Sequence, residues 1–101
     1  MRILAMETTV TGVREAQFTP EVAVAEARRA WDLHLAGTIR ELYFRADSPE
    51  AVLVLEYRDV AEAQAAQATL PMVAAGLISF EVVPLRAYTG FARLFGPTEP
   101  A

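Results

Sequence analysis

T-I-R-E-L-Y-F-R-A-D-S-P-E-A-V-L-V-L-E-Y, residues 38–57, decides the fold. Residues 38–46 and 51–57 are rich in β-branched and aromatic side chains, and the Asp47-Ser48-Pro49-Glu50 segment between them has turn chemistry, so the stretch predicts a β-hairpin. In its second arm both parities are apolar: Val52 and Val54 point one way, Leu53 and Leu55 the other. Both faces of the sheet therefore need cover. Closing the hairpin through Asp47, Ser48 and Pro49 sets Arg40 opposite Glu56 and Phe44 opposite Val52, whereas a one-residue shift brings Glu41 opposite Glu56. Opposite charges select the first register, with an Arg40–Glu56 ion pair.

Upstream, residues 2–7 form a short apolar run that predicts a first strand. Thr19-Pro20-Glu21 then offers a capping hydroxyl, a proline for the first helical turn and a carboxylate at the positive helix end, and Gly37 supplies the stop. Between them lies a helix of about 17 residues, with Val24, Ala27, Trp31 and Leu35 as its core-facing stripe and Trp31 as a core anchor. Downstream, Asp59 and Glu62 make a capping-box-like D-x-x-E for a second helix over about 60–70, its stripe formed by Ala63, Ala66 and Leu70, with Pro71 ending it. One further turn over 72–76 closes at Gly76, and residues 77–85 alternate as a last strand with Pro84 at its end.

The order β-α-β-β-α-β is the split β-α-β, or ferredoxin-like, α+β arrangement, with both helices on one face of an antiparallel sheet. A chain of 101 residues has no third layer for the other face. The expected cover is a second copy, producing a dimeric α+β barrel, with Tyr88, Phe91, Leu94 and Phe95 of the C-terminal tail (88–101) capping or crossing the interface. The whole chain reads as one domain.

Composition narrows the chemistry. The chain is 53% hydrophobic and 22% charged, with a mean hydropathy of +0.24, and it has no apolar run of the ~18 residues a membrane span needs. Its net charge of −4 speaks against a nucleic-acid surface. No export signal is visible, so the expected compartment is the cytoplasm. All nine basic residues are Arg; Lys and Cys are absent and His34 is the one histidine, which removes thiolate nucleophiles, Schiff bases and a His-rich metal site. The five glycines form no phosphate loop, and neither Ser48 nor Ser79 sits in G-x-S-x-G. Catalysis falls to carboxylates, Arg, Tyr, His34 or water.

Arg40 and Glu56 are candidates for holding an anionic ligand, or else a structural salt bridge. His34 flanks the helix stripe near the negative helix end, and Glu26 reads as lying on the polar side, one step from the stripe. Trp31, Tyr43 and Phe44 read as core more than as a ligand box.

Taken in order, Glu26, Trp31, Gly37, Arg40, Leu42-Tyr43-Phe44-Arg45, Leu55-Glu56, Leu70-Pro71-Met72-Val73, Phe80-Glu81-Val82 and Leu85 resemble the muconolactone Δ-isomerase-like family of the dimeric α+β barrel superfamily over about residues 21–95. G-T-I-R-E-L (37–42), the Leu70-Pro71 step and the F-E-V strand are the most specific pieces. The resemblance implies an isomerase that needs neither metal nor organic cofactor and shifts a C=C bond in an unsaturated lactone carrying a carboxylate side chain, as part of aromatic-compound breakdown. It implies Glu26 as proton carrier and Arg40 as substrate clamp, and these two carry the analogy; Trp31, His34, Tyr43, Phe44 and Glu56 are the candidates for the substrate's surroundings. Two departures stand out. The chain has Leu42-Tyr43-Phe44 where the isomerases have L-W-R, and Tyr88-Thr89-Gly90-Phe91 where they end in a His-Pro-containing tail. Relatives on the same fold include YCII-like proteins, which pair a His with an Asp, and cofactor-free monooxygenases. Here His34 and Asp32 share a helix but point about 200° apart, so that pairing is not expected. A non-catalytic dimeric binding or structural module is the competing expectation.

Overall fold

A computed structural model describes residues 1–96. The elements run β1 (Arg2–Thr9), α1 (Pro20–Leu35), β2 (Ile39–Phe44), β3 (Ala51–Glu56), α2 (Val60–Gln67), α3 (Pro71–Ala74) and β4 (Ile78–Pro84), with 3-10 turns at Glu15–Gln17 and Gly90–Phe95. The strands form one antiparallel sheet in the order β2-β3-β1-β4, which fits the ferredoxin-like α+β arrangement expected from the sequence. Residues 97–101, the end of the expected tail, lie outside the described residues.

The helix starts follow the local chemistry. Thr19 Oγ1 accepts the Val22 N–H at 3.2 Å, and Asp59 Oδ1 accepts that of Glu62 at 2.8 Å. Gly37 (φ 83°) and Gly76 (φ 75°) follow the helix ends in the left-handed region that a side chain would resist. Ile3, Ala5, Leu53, Leu55 and Ile39 from the sheet bury against Leu33, Ala63 and Leu70. Alternation sends Leu4, Met6, Val52, Val54 and Val83 to the opposite face, where they are half-buried by their strand neighbours alone.

Two expectations are corrected. On α1 the predicted stripe is exposed: Val24 by 65%, Trp31 by 56% and Leu35 by 66%. The inward line runs through Val22, Glu26, Ala30 and Leu33 instead. In so alanine-rich a helix several faces are apolar, and small side chains allow close packing on the sheet, so the bulkiest residues need not mark the buried face. Trp31 is therefore not a core anchor, and Glu26 is not on the polar side.

The hairpin register also differs from the expected one. Phe44 pairs with Ala51, Tyr43 with Val52 and Leu42 with Leu53, and a bulge at Arg40 then sets Ile39 opposite Leu55. This register puts Leu42 and Phe44 on the helix face beside Leu53. The bulge exchanges Arg40 for Ile39 at the next inward position, so that Ile39 is fully buried and Arg40 is exposed. Burying an isoleucine is worth more than one exposed ion pair, which is why the apolar pattern overrides charge matching. Glu56 Oε2 lies 3.0 Å from the Met1 amino group instead of pairing with Arg40, and that group holds Glu56 below the usual carboxylate range. The turn is fixed by Arg45, whose Nε and Nη2 donate to Asp47 at 2.8 Å each, and by Ser48 donating to Glu50.

The second helix is split, α2 ending at Gln67 and α3 beginning at Pro71, while Ala63 and Leu70 are buried as the stripe predicts. Among the described residues no helix is long and apolar enough to cross a membrane.

Candidate functional site

Between α1 and the helix-facing side of the sheet lies a cleft of about 570 Å³. Its walls are apolar: Ala23, Ala27 and Ala30 of α1, Leu42 and Phe44 of β2, Leu53 of β3, Leu70 and Met72 at the start of α3, and Phe80 of β4. The alanines matter here, because a helix of small side chains leaves room over the sheet where leucines would have filled it.

Two carboxylates enter this space. Glu26, half-buried on the inward line of α1, has Oε1 accepting the Met72 N–H at 2.9 Å. That bond has a local cause. α3 opens with Leu70 at its N-cap, which has no capping oxygen, and Pro71 has no N–H, so Met72 carries the first donor in need of a partner. Burial raises the Glu26 carboxyl above its ordinary value, and the Met72 N–H only partly offsets this. Glu7, on β1 opposite Phe80, is also half-buried, with Oε1 accepting the Ala51 N–H at 3.3 Å. Burial raises Glu7 as well, and the neighbouring charges of Glu50 and Glu26 push in the same direction.

His34 stands at the C-terminal end of α1, where Nδ1–H donates to the Ile39 carbonyl at 2.8 Å. That bond leaves Nε2 as the ring atom open to a ligand. The Trp31 ring lies 5.9 Å away, tilted by 42°, so the exposed tryptophan forms a wall of the cleft mouth with His34. Tyr43 reaches the rim, but its hydroxyl donates to Glu41 Oε1 at 2.6 Å on the far face of the sheet, and this raises the phenol above its ordinary value.

Of the residues the sequence points to, the structure brings Glu26, Trp31, His34, Tyr43 and Phe44 to one cleft. Arg40 and Glu56 are not among the lining residues: Arg40 is turned out by the bulge, and Glu56 belongs to the opposite face of the sheet. Glu7 is the residue that sequence reading missed. Its signal was present, because Glu7 is in phase with the inward-facing Ile3 and Ala5 along β1. Among the described residues no group of three or more His, Cys, Asp or Glu is placed to hold a metal ion. No protein-family model matches the chain, and no curated protein matches it.

Proposed function

We propose that this chain is a cofactor-independent isomerase, working as a cytoplasmic homodimer, that moves a proton within a small unsaturated lactone bound in the α1–sheet cleft. The observation that carries the reading is Glu26: a half-buried carboxylate in an apolar cleft, with one oxygen held by the Met72 N–H and no hydrogen bond to the other among the described residues. A carboxylate raised by burial is a stronger base than one in water, which suits proton abstraction from a carbon next to a carbonyl. This is the chemistry of the muconolactone isomerase-like proteins that its motifs resemble.

The step balances without a redox partner. Glu26 takes the proton as the C–H bond beside the carbonyl breaks, and the electron pair spreads over the carbonyl and the adjacent C=C as a dienolate. The carboxylic acid of Glu26 then returns the proton to the far end of that system, and the double bond has moved by one position. Arg40 has no part in this step, since it lies outside the cleft.

The test is proton NMR of β,γ-unsaturated γ-lactones incubated with the protein in D₂O. Exchange at the carbon beside the carbonyl and appearance of the conjugated isomer are expected, and both should vanish in Glu26→Gln. Binding without exchange would leave a non-catalytic ligand-binding module as the better description.

A further inference from the structure

Among the described residues the cleft is lined by two carboxylates and no guanidinium. Glu7 and Glu26 approach from different elements, β1 and α1, and each gives one oxygen to a backbone N–H, of Ala51 and Met72 respectively. The chain has no lysine, and no arginine is among the lining residues. Of the two arginines of α1, Arg28 is exposed and Arg29 donates from Nε to Thr69 Oγ1 at 2.9 Å, and Arg45 is engaged by Asp47. Among the described residues that line the cleft, His34 is the one with a basic side chain.

Resting on the isomerase reading, we infer that Glu7 and Glu26 act together as a charge filter, which admits uncharged ligands and rejects ligands bearing a carboxylate. Two carboxylates facing one apolar space repel each other more strongly than they would in water, and that repulsion favours a proton on one of them. A ligand carboxylate entering the same space would add a further negative charge with no arginine beside it. An uncharged lactone meets the opposite situation. Glu7 in its acid form donates a hydrogen bond to the lactone carbonyl oxygen, where negative charge builds as Glu26 removes the proton. Glu7 is thus assigned as the acid and Glu26 as the base, and the filter and the catalytic pair are the same two groups. Burial raises both carboxyls, and the charge of Glu26 adds to the rise at Glu7 alone, which favours Glu7 as the one that carries the proton.

A matched pair of probes tests it: a five-membered β,γ-unsaturated lactone bearing a methyl group, and the same ring bearing a carboxymethyl group. Calorimetric titration of each into the full chain at neutral pH should show the methyl lactone bound more tightly by about tenfold or more. Glu7→Gln, which keeps the shape and the acceptor for the Ala51 N–H, should shrink that ratio by improving binding of the anionic ring. Equal or tighter binding of the carboxymethyl lactone by the native protein would overturn the filter while leaving the cleft reading intact. Binding of neither ring, with no proton exchange in D₂O, would overturn the isomerase reading and the filter with it.

Discussion

Glu26 Oε1 accepts the backbone N–H of Met72 at 2.9 Å, tying the second turn of α1 to the first turn of α3 across 46 positions of sequence. The bond fixes where the carboxylate points and closes the wall of the cleft that Leu70 and Met72 provide.

The two functions of Glu26, cap and base, separate by substitution. Glu26→Gln retains an oxygen for the Met72 N–H and should unfold in urea within about 0.5 kcal/mol of the native chain. Glu26→Ala leaves that N–H without its partner and should cost about 1 kcal/mol. Both should lose proton exchange with lactones. Equal destabilisation by the two substitutions would show that the cap is not what holds this side chain in place.

The raised carboxyls give a definite sign to the pH dependence. Glu7 and Glu26 have folded-state values above the ordinary 4.5, so between the unfolded and folded values the native state binds more protons than the unfolded chain. Their contribution is therefore most favourable below 4.5 and is lost as pH rises through the folded values. Glu56, lowered by the Met1 amino group, and Asp47, lowered by Arg45, act in the opposite sense: their stabilisation is present above the ordinary values and is lost as pH falls through the folded ones. Urea unfolding of the native chain, Glu7→Gln and Glu26→Gln at about pH 4 and about pH 7.5 reads the first pair directly. Each glutamine variant should gain on the native protein as pH rises. A gap that stays constant across the range would contradict the burial assigned to these groups.

Arg40 offers a contrast between the sequence expectation and the structure. A buried Arg40–Glu56 pair would make Arg40→Met cost about 3–5 kcal/mol by stranding a carboxylate. On an exposed bulge, with Glu56 beside the Met1 amino group, the same substitution should change stability by about 0.5 kcal/mol or less and leave lactone binding unaltered. A large loss rescued by Glu56→Leu would restore the buried pair.

What was legible in this sequence was local. Thr19-Pro20, Asp59, Gly37 and Gly76 announce their helix ends because capping and positive φ act over a few residues, and the strand-helix order follows from them. The hairpin register was not legible. With Val52, Val54, Leu53 and Leu55 all apolar, strand alternation does not choose a face, and the deciding factor is a bulge that exchanges Arg40 for Ile39. Glu26 was identified but misplaced, since in an alanine-rich helix the inward line is set by how closely the helix approaches the sheet, a property of the packed molecule. Glu7 was hidden for a different reason: at the end of a short predicted strand it read as the edge of the element, whereas β1 continues to Thr9 and places it mid-sheet.

The remaining prediction concerns the bare face of the sheet. Leu4, Met6, Val52, Val54 and Val83 form a contiguous apolar patch on it, with Glu41, Glu56 and Glu81 at its margins. Tyr88, Phe91, Leu94 and Phe95 are 69%, 68%, 76% and 88% exposed in the single chain. We predict that this surface is covered by a second copy, and a paired sheet face with the tail aromatics across it should bury well over ~2,000 Å² in total. Val54 sits near the centre of the patch, paired with Leu4 on one side and Glu41 on the other. Val54→Arg places a charge there without touching the helix-facing core, so a monomer that keeps its fold can survive the change. Equilibrium sedimentation of the native chain at micromolar concentration should give at least twice the 11.1 kDa chain mass, and Val54→Arg should give the single-chain mass with its circular dichroism preserved. A native protein that sediments at 11.1 kDa would remove the dimer, and the sheet face would then have to be stable in water as it stands.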